Sequence, residues 1–219
     1  GVVQSITEFL PVSSTGYLTV TQHILGLTDT DAGKAAADSY AIAIQFGAIV
    51  AVAGLYWQRI STAVTRILRP TPGPETAEAR QLALALIIAF TPAAVVGFLT
   101  SDAIKENLFG LWPTALAWFV GGIAIIVFAR RSQIGDRALE LITPRDGLII
   151  GLTQMLALWP GVSRSLVTII AASLVGLKMA AAVEFSFLLG LATLSAATLY
   201  ETATNGSVII DEYGLLIPL

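Results

Sequence analysis

Hydroxyl side chains gather at two proline- and glycine-containing breaks in this chain, each set in apolar surroundings and each holding one fully charged group. The first is Gln4-Ser5-Ile6-Thr7-Glu8-Phe9-Leu10-Pro11-Val12-Ser13-Ser14-Thr15-Gly16, and the second is Gln154-Met155-Leu156-Ala157-Leu158-Trp159-Pro160-Gly161-Val162-Ser163-Arg164-Ser165. A guanidinium such as Arg164 offers a planar fork of donors that matches phosphate oxygens. The hydroxyls of Ser13, Ser14, Thr15, Ser163, Ser165 and Thr168 add further donors. A helix that restarts after such a break also exposes amide groups and a positive dipole end. Together these residue types point to recognition of an anionic group such as phosphate.

The same residues have quieter roles that must be weighed. Intramembrane hydroxyls often serve helix packing or bond back to carbonyls, and small residues such as Gly47 and Gly54 let helices approach. Glu8 and Arg164 would alternatively form a structural ion pair between the two segments, although an ionisable group at membrane depth is costly unless paired or used. Glu184 either faces the site or marks the interface end of its span. Gln45 reads as a packing hydrogen bond, and Tyr56, Trp57, Trp112 and Tyr200 read as interfacial belt residues.

The elements that must position these groups are set by the solvent. Hydrophobic residues make up 55% of the chain and charged residues only 12%, with a mean hydropathy of +0.79. That balance is expected of an all-α, polytopic integral membrane protein. Uncharged runs at 39–58, 81–101 and 107–129 are each about as long as the roughly 20 residues a helix needs to cross the hydrocarbon core. A further span covers 179–200. There is no cysteine, so disulfide and thiolate chemistry are excluded, and the single histidine, His23, excludes a multi-histidine metal site.

Arginines cluster at 58–80 (Arg59, Arg66, Arg69, Arg80) and at 130–146 (Arg130, Arg131, Arg137, Arg145). The positive-inside rule makes both stretches cytoplasmic loops and leaves the acidic stretches 29–38 and 201–212 outside. Between them, 1–28 and 147–177 are too broken to span and read as re-entrant helical hairpins. The first would open from outside and the second from inside. With three spans between them, the second copy is inverted relative to the first. The whole chain, 1–219, is then one membrane domain. Repeat one covers about 1–129 and an incomplete repeat two about 147–219.

The ordered set Gln4-xxx-Glu8, Pro11-Val12-Ser13-Ser14-Thr15-Gly16, Pro160-Gly161-Val162-Ser163-Arg164-Ser165-xx-Thr168 and Glu184-Phe185-Ser186-Phe187-Leu188-Leu189 closely resembles the undecaprenyl-diphosphate phosphatases of the bacitracin-resistance type. The resemblance runs from Gly1 to about residue 200. It implies hydrolysis of the C55 isoprenoid diphosphate to the monophosphate lipid carrier of cell-wall synthesis, at the outer face of the bacterial inner membrane. It makes Ser14 the candidate nucleophile and Arg164 the residue that grips the diphosphate, with Gln4, Ser13, Thr15, Ser163, Ser165 and Thr168 around the phosphates.

One position departs from the family pattern, because Tyr17 stands where the family usually has histidine. His23 does not replace it, since six residues along a helix places it about 240° round and roughly 9 Å along the axis. The remaining base is Glu8, whose pKa a buried site would raise. Alternatively Glu8 and the substrate's phosphates would hold a divalent cation, Mg2+ or Ca2+, that activates the attacking group. The expected partners are the isoprenoid diphosphate lipid, the bilayer and a second copy of the chain in a homodimer, with no nucleic acid. A transporter or flippase for an isoprenoid phosphate lipid is the competing class, because inverted repeats with broken helices are also transporter architecture. Phosphate release by detergent-solubilised protein separates the two. The chain starts without methionine inside the first motif region and stops as an apolar segment begins, so further spans are expected in the whole protein.

Overall fold

In the computed structural model, which describes residues 7, 12–24, 26, 45–70, 72–108, 110–130 and 135–213, the long apolar runs are helices. In chain order these are α1 (Ser14–Ile24), α2 (Gln45–Leu55), α3 (Trp57–Leu68), α4 (Pro74–Asn107), α5 (Leu111–Ala129), α6 (Pro144–Gln154), α7 (Arg164–Leu174) and α8 (Met179–Tyr213). Among the described residues the one extended pairing is an isolated bridge between Arg137 and Leu177. Among the described residues three stretches are long and apolar enough to cross a membrane: Pro74–Ser101, Leu111–Ala129 and Met179–Tyr200. The chain is a multi-pass membrane protein, all-helical over its described residues.

The boundaries differ from expectation in instructive ways. The expected span 39–58 is described only from Gln45, as the short apolar helix α2. The chain does not leave helical structure at 58: a single offset residue, Tyr56, accepts from the Ile60 N–H at 2.9 Å and leads into α3. Arginine density made 58–80 read as a loop. The sequence WQRISTAVTRIL is instead strongly amphipathic, with apolar and basic positions on different faces. Downstream, α4 begins at Pro74 rather than at 81, with proline in its first turn where no amide donor is needed. The acidic stretch 201–212 is helical, because α8 runs on to Tyr213.

The core forms where α4, α6, α7 and α8 meet, around Ala85, Ala89, Ile150, Ala172 and Phe185. In lipid, apolar burial gives helices little reason to associate, so close van der Waals packing between small residues carries the contact. Gly147 and Gly151 on α6 face Ala85 and Ala89 on α4. A Cβ at either glycine would sit 2.5 Å from the carbonyl oxygen of the alanine opposite. The two backbones are therefore in direct contact over one helical turn.

Charged residues concentrate at one end of these helices. Arg59 of α3 meets Glu140 at 2.7 Å and Glu184, near the start of α8, at 3.0 Å. Arg137 donates to Asp146 at 2.9 Å and to the Val175 carbonyl at 2.9 Å, tying the entry of α6 to the exit of α7. Asp146 and Thr143 form a reciprocal capping box that starts α6. Burial pushes the Asp146 carboxyl up, but hydrogen bonds from Arg137 and from the Thr143 backbone and hydroxyl outweigh it and hold the group below its ordinary value of 3.8.

Candidate active site

Two of these helices begin in the same way. Ser13 precedes the 11-residue α1 and Ser163 precedes the 11-residue α7. The Ser13 Oγ accepts from the Gly16 N–H at 3.4 Å, and the Ser163 Oγ accepts from the Leu166 N–H at 3.2 Å. Each serine satisfies one of the otherwise orphaned amides of a first helical turn. Ser13 does so with φ of 64°, in the left-handed region that a residue with a Cβ rarely adopts. Before Ser163, Gly161 has φ of 96°, and a Cβ there would lie 3.0 Å from Thr114 and Ala117 of α5. Glycine is needed both for the turn and for the close approach.

The two breaks face one cavity of about 480 Å³, which Ser13, Ser14, Ser163, Arg164 and Ser165 line together. Phe90, Ala93, Ala94 and Gly97 of α4 and Thr193, Leu194 and Ala197 of α8 supply apolar and small walls. Pro92 lies inside α4 at this level; a proline cannot make the helical amide bond at its own position. The cavity therefore combines apolar walls with hydroxyls and one guanidinium, gathered where two helices begin.

Arg164 is held in place from α8. Its Nη1 donates to the Thr193 hydroxyl at 3.0 Å, and that hydroxyl in turn donates to the Leu189 carbonyl at 3.0 Å. A Cβ added to Gly190 would come within 3.2 Å of Nη2 and 3.4 Å of Cζ, so the guanidinium lies against bare backbone. Ser163 and Ser165 are both buried, with their hydroxyl oxygens 3.1 Å apart. Thr168 is also buried but is absent from the cavity wall. It donates to the Arg164 carbonyl at 2.8 Å and, with its proton so directed, accepts from Ser186 at 2.7 Å. Its contacts hold α7 to α8 behind the site.

The other candidates are distributed as follows. Gln4 and Glu8 lie outside the described residues, as does the side chain of Thr15, whose backbone belongs to the first turn of α1. Glu184 does not line the cavity; its carboxylate meets Arg59 instead. Tyr17 faces a second, smaller hollow of about 220 Å³ with Trp118, Gly121 and Gly122, its ring 4.8 Å from that of Trp118. Among the described residues that line the main cavity there is no carboxylate and no histidine, and no cluster of three such ligands occurs elsewhere among them.

Of the lining residues that carried no role in the sequence reading, Thr193 and Gln154 bear most on the site. Thr193 sits in an apolar span where a lone threonine looks like packing. Gln154 opens the second motif segment, yet nothing in its position alone distinguishes it from a structural amide. In the structure it is 2% exposed, lines the cavity and has no hydrogen-bond partner for either side-chain atom.

A multi-pass helical membrane protein with hydroxyls and an arginine converging on a cavity walled by two of its apolar helices is the class this fold and site define. Comparison with known proteins adds the family. Residues 1–217 match the family described as "Bacitracin resistance protein BacA", and the chain belongs to that family. It is 44% identical to a Sorangium cellulosum protein named undecaprenyl-diphosphatase, over 100% of this chain and 69% of the relative. It is 45% identical to undecaprenyl-diphosphatase 1 of Chromobacterium violaceum, over 98% and 77%, and 43% identical to undecaprenyl-diphosphatase of Maridesulfovibrio salexigens, over 92% and 73%.

Proposed function

We propose that this protein hydrolyses undecaprenyl diphosphate to undecaprenyl monophosphate and phosphate, returning the lipid carrier to cell-wall synthesis. The observation that carries the reading is the convergence of Ser13 and Ser14 with Ser163, Arg164 and Ser165 on one cavity, in a chain of the BacA family. The names of its relatives favour a phosphatase over a transporter.

In this reading Ser14, or a water it orients, attacks the terminal phosphorus in line with the bridging oxygen. The bond from that phosphorus to the bridging oxygen breaks, and the lipid monophosphate leaves. If serine attacks, water then cleaves the phosphoserine and releases phosphate. Arg164, fixed by Thr193 and Gly190, meets the charge that builds on the equatorial oxygens, together with the amides at the starts of α1 and α7. Glu8 takes the proton from the attacking hydroxyl. The described lining offers neutral oxygen donors, Ser13, Ser14 and Gln154 among them, beside the positive Arg164. Such a set suits a hard cation only if Glu8 and the substrate's phosphates supply the negative charge. Mg2+ or Ca2+ held there would neutralise phosphate charge and lower the pKa of a bound water.

We also read α1 and the α6–α7 pair as parts of two re-entrant hairpins in inverted repeats, in the bacterial inner membrane. The matched lengths and serine caps of α1 and α7 support this, as does the shortness of α6 and α7. Along α8 the cavity residues Thr193 to Tyr200 lie roughly 14–24 Å from Glu184, away from the arginine-rich end. With that end cytoplasmic by the positive-inside rule, the cavity faces outward. A homodimer remains part of the proposal.

The test is phosphate release in detergent by Glu8→Ala and Ser14→Ala variants, with and without a chelator. Serine as nucleophile requires near-complete loss in Ser14→Ala; survival of that variant with loss in Glu8→Ala assigns the attack to water. Chelation is expected to abolish release and added Mg2+ or Ca2+ to restore it; unaltered release in the chelator removes the cation from the account.

A further inference from the structure

Gln154 ends α6 at the point where the chain tightens into the short turn Met155–Leu158 before the Pro160-Gly161 break. Its side chain is 2% exposed and lines the same cavity as Arg164, yet neither its amide nitrogen nor its carbonyl oxygen has a partner among the described residues. A buried primary amide left unpaired on both atoms is costly. An aliphatic side chain of similar size would fill the space without that cost. Native interiors leave such groups unpaired rarely, and chiefly where a ligand or water completes them.

Arg164, Ser163 and Ser165 approach the cavity from the start of α7, whereas Gln154 approaches from the end of α6, on the other side of the break. Arginine and helix-start amides only donate. The glutamine amide donates through nitrogen and accepts through oxygen. A phosphoryl group on Arg164 has non-bridging oxygens left to accept, and the water or hydroxyl beside it has a proton left to give. Gln45 of α2 is another primary amide in the described wall, but Gln154 is the one that is 2% exposed with both side-chain atoms unpaired.

We infer that Gln154 is a further substrate-binding residue, which donates its amide N–H to a phosphate oxygen of the bound diphosphate while its carbonyl accepts a hydrogen bond from the water or hydroxyl beside that phosphate. The inference rests on the phosphatase reading and adds a residue to it. No covalent step is assigned to the glutamine; it binds and orients, and its contribution is greatest when the phosphate is anionic.

The experiment compares full-length wild-type protein with Gln154→Met, which keeps length and volume but loses both polar atoms, and with Gln154→Glu, which keeps an acceptor and replaces the donor by a charge. The expected result for Gln154→Met is a fall in kcat/KM of about 10- to 100-fold, the loss of one hydrogen bond to a charged group. The inhibition constant of inorganic phosphate should rise with it, and Tm should stay equal or increase. Gln154→Glu is expected to lose more, and to recover relative to wild type as pH falls and its carboxylate is protonated. Wild-type kinetics and phosphate inhibition in Gln154→Met would overturn the inference and leave the amide to structural water. A loss of activity that tracks a fall in Tm would also overturn it, assigning Gln154 to the scaffold. Absence of phosphate release from the wild type itself refutes the phosphatase reading and this inference with it, so the two failures are distinguishable.

Discussion

Arg164 acts through its setting as much as through its charge. A long flexible side chain in a cavity loses rotamer freedom when it grips a ligand, and the structure has already fixed it: Thr193 receives one donor and the absence of a Cβ at Gly190 lets the guanidinium lie flat. Thr193→Val keeps the shape and removes the acceptor. It is expected to lower kcat/KM about 10-fold, the scale of one hydrogen bond to a charged group, with little change in Tm; unchanged kinetics would show that the Thr193 hydrogen bond does not position the arginine for turnover. At the charged end, Asp146 has a depressed pKa in the folded state. The unfolded chain therefore binds a proton at a higher pH than the folded one, and stability rises with pH through that interval. The contribution is complete above the ordinary value of 3.8 and is lost as pH falls below it. Melting in detergent between pH 6 and 3 (an assay range of about three units in all that brackets the ordinary carboxylate value) should show an acid-side fall that Asp146→Asn reduces. The hydroxyls and Arg164 were legible in the sequence because charge and hydroxyl clusters stand out against an apolar background. Thr193, Gly190 and Gln154 were not, since their roles exist only once α8 and α6 lie beside α7.

At the scale of elements, three of the expected spans, 81–101, 107–129 and 179–200, were readable from apolar run length, and the break at 160–161 from its proline and glycine. What the pattern did not disclose was α3, where arginines that read as a loop form the polar face of a helix. The pairing of α4 with α6 was equally hidden, because Gly147, Gly151, Ala85 and Ala89 look like any small residues until their carbonyls and α-carbons are seen in contact. That contact predicts a sharp contrast among glycines. Gly151→Val would drive a side chain into the Ala89 backbone and is expected to lower Tm by several degrees or prevent folding, in keeping with a loss of a few kcal/mol for overpacking. Gly47→Ala meets nothing within 4 Å and should be neutral or stabilising by up to about 1 kcal/mol through helix propensity. Equal tolerance of both substitutions would mean that α4 and α6 are not in backbone contact.

For the molecule as a whole, the account joins two ends of one helical assembly. Ion pairs from Arg59 and Arg137 gather α3, α6, α7 and α8 at one end. Further along α4 and α8, two serine-capped helix starts and one arginine share a cavity with apolar walls, as a lipid with an anionic head would require. The convergence fits an anionic headgroup, and family membership points to hydrolysis of that group. The most direct measurement is therefore phosphate release from undecaprenyl diphosphate by the purified protein in detergent, wild type beside Arg164→Ala and with Tm measured for both. The account predicts turnover by the wild type and a fall of about 10²–10³-fold in the variant, the scale of one removed charge-stabilising donor, at similar Tm. Wild-type turnover in Arg164→Ala would contradict it.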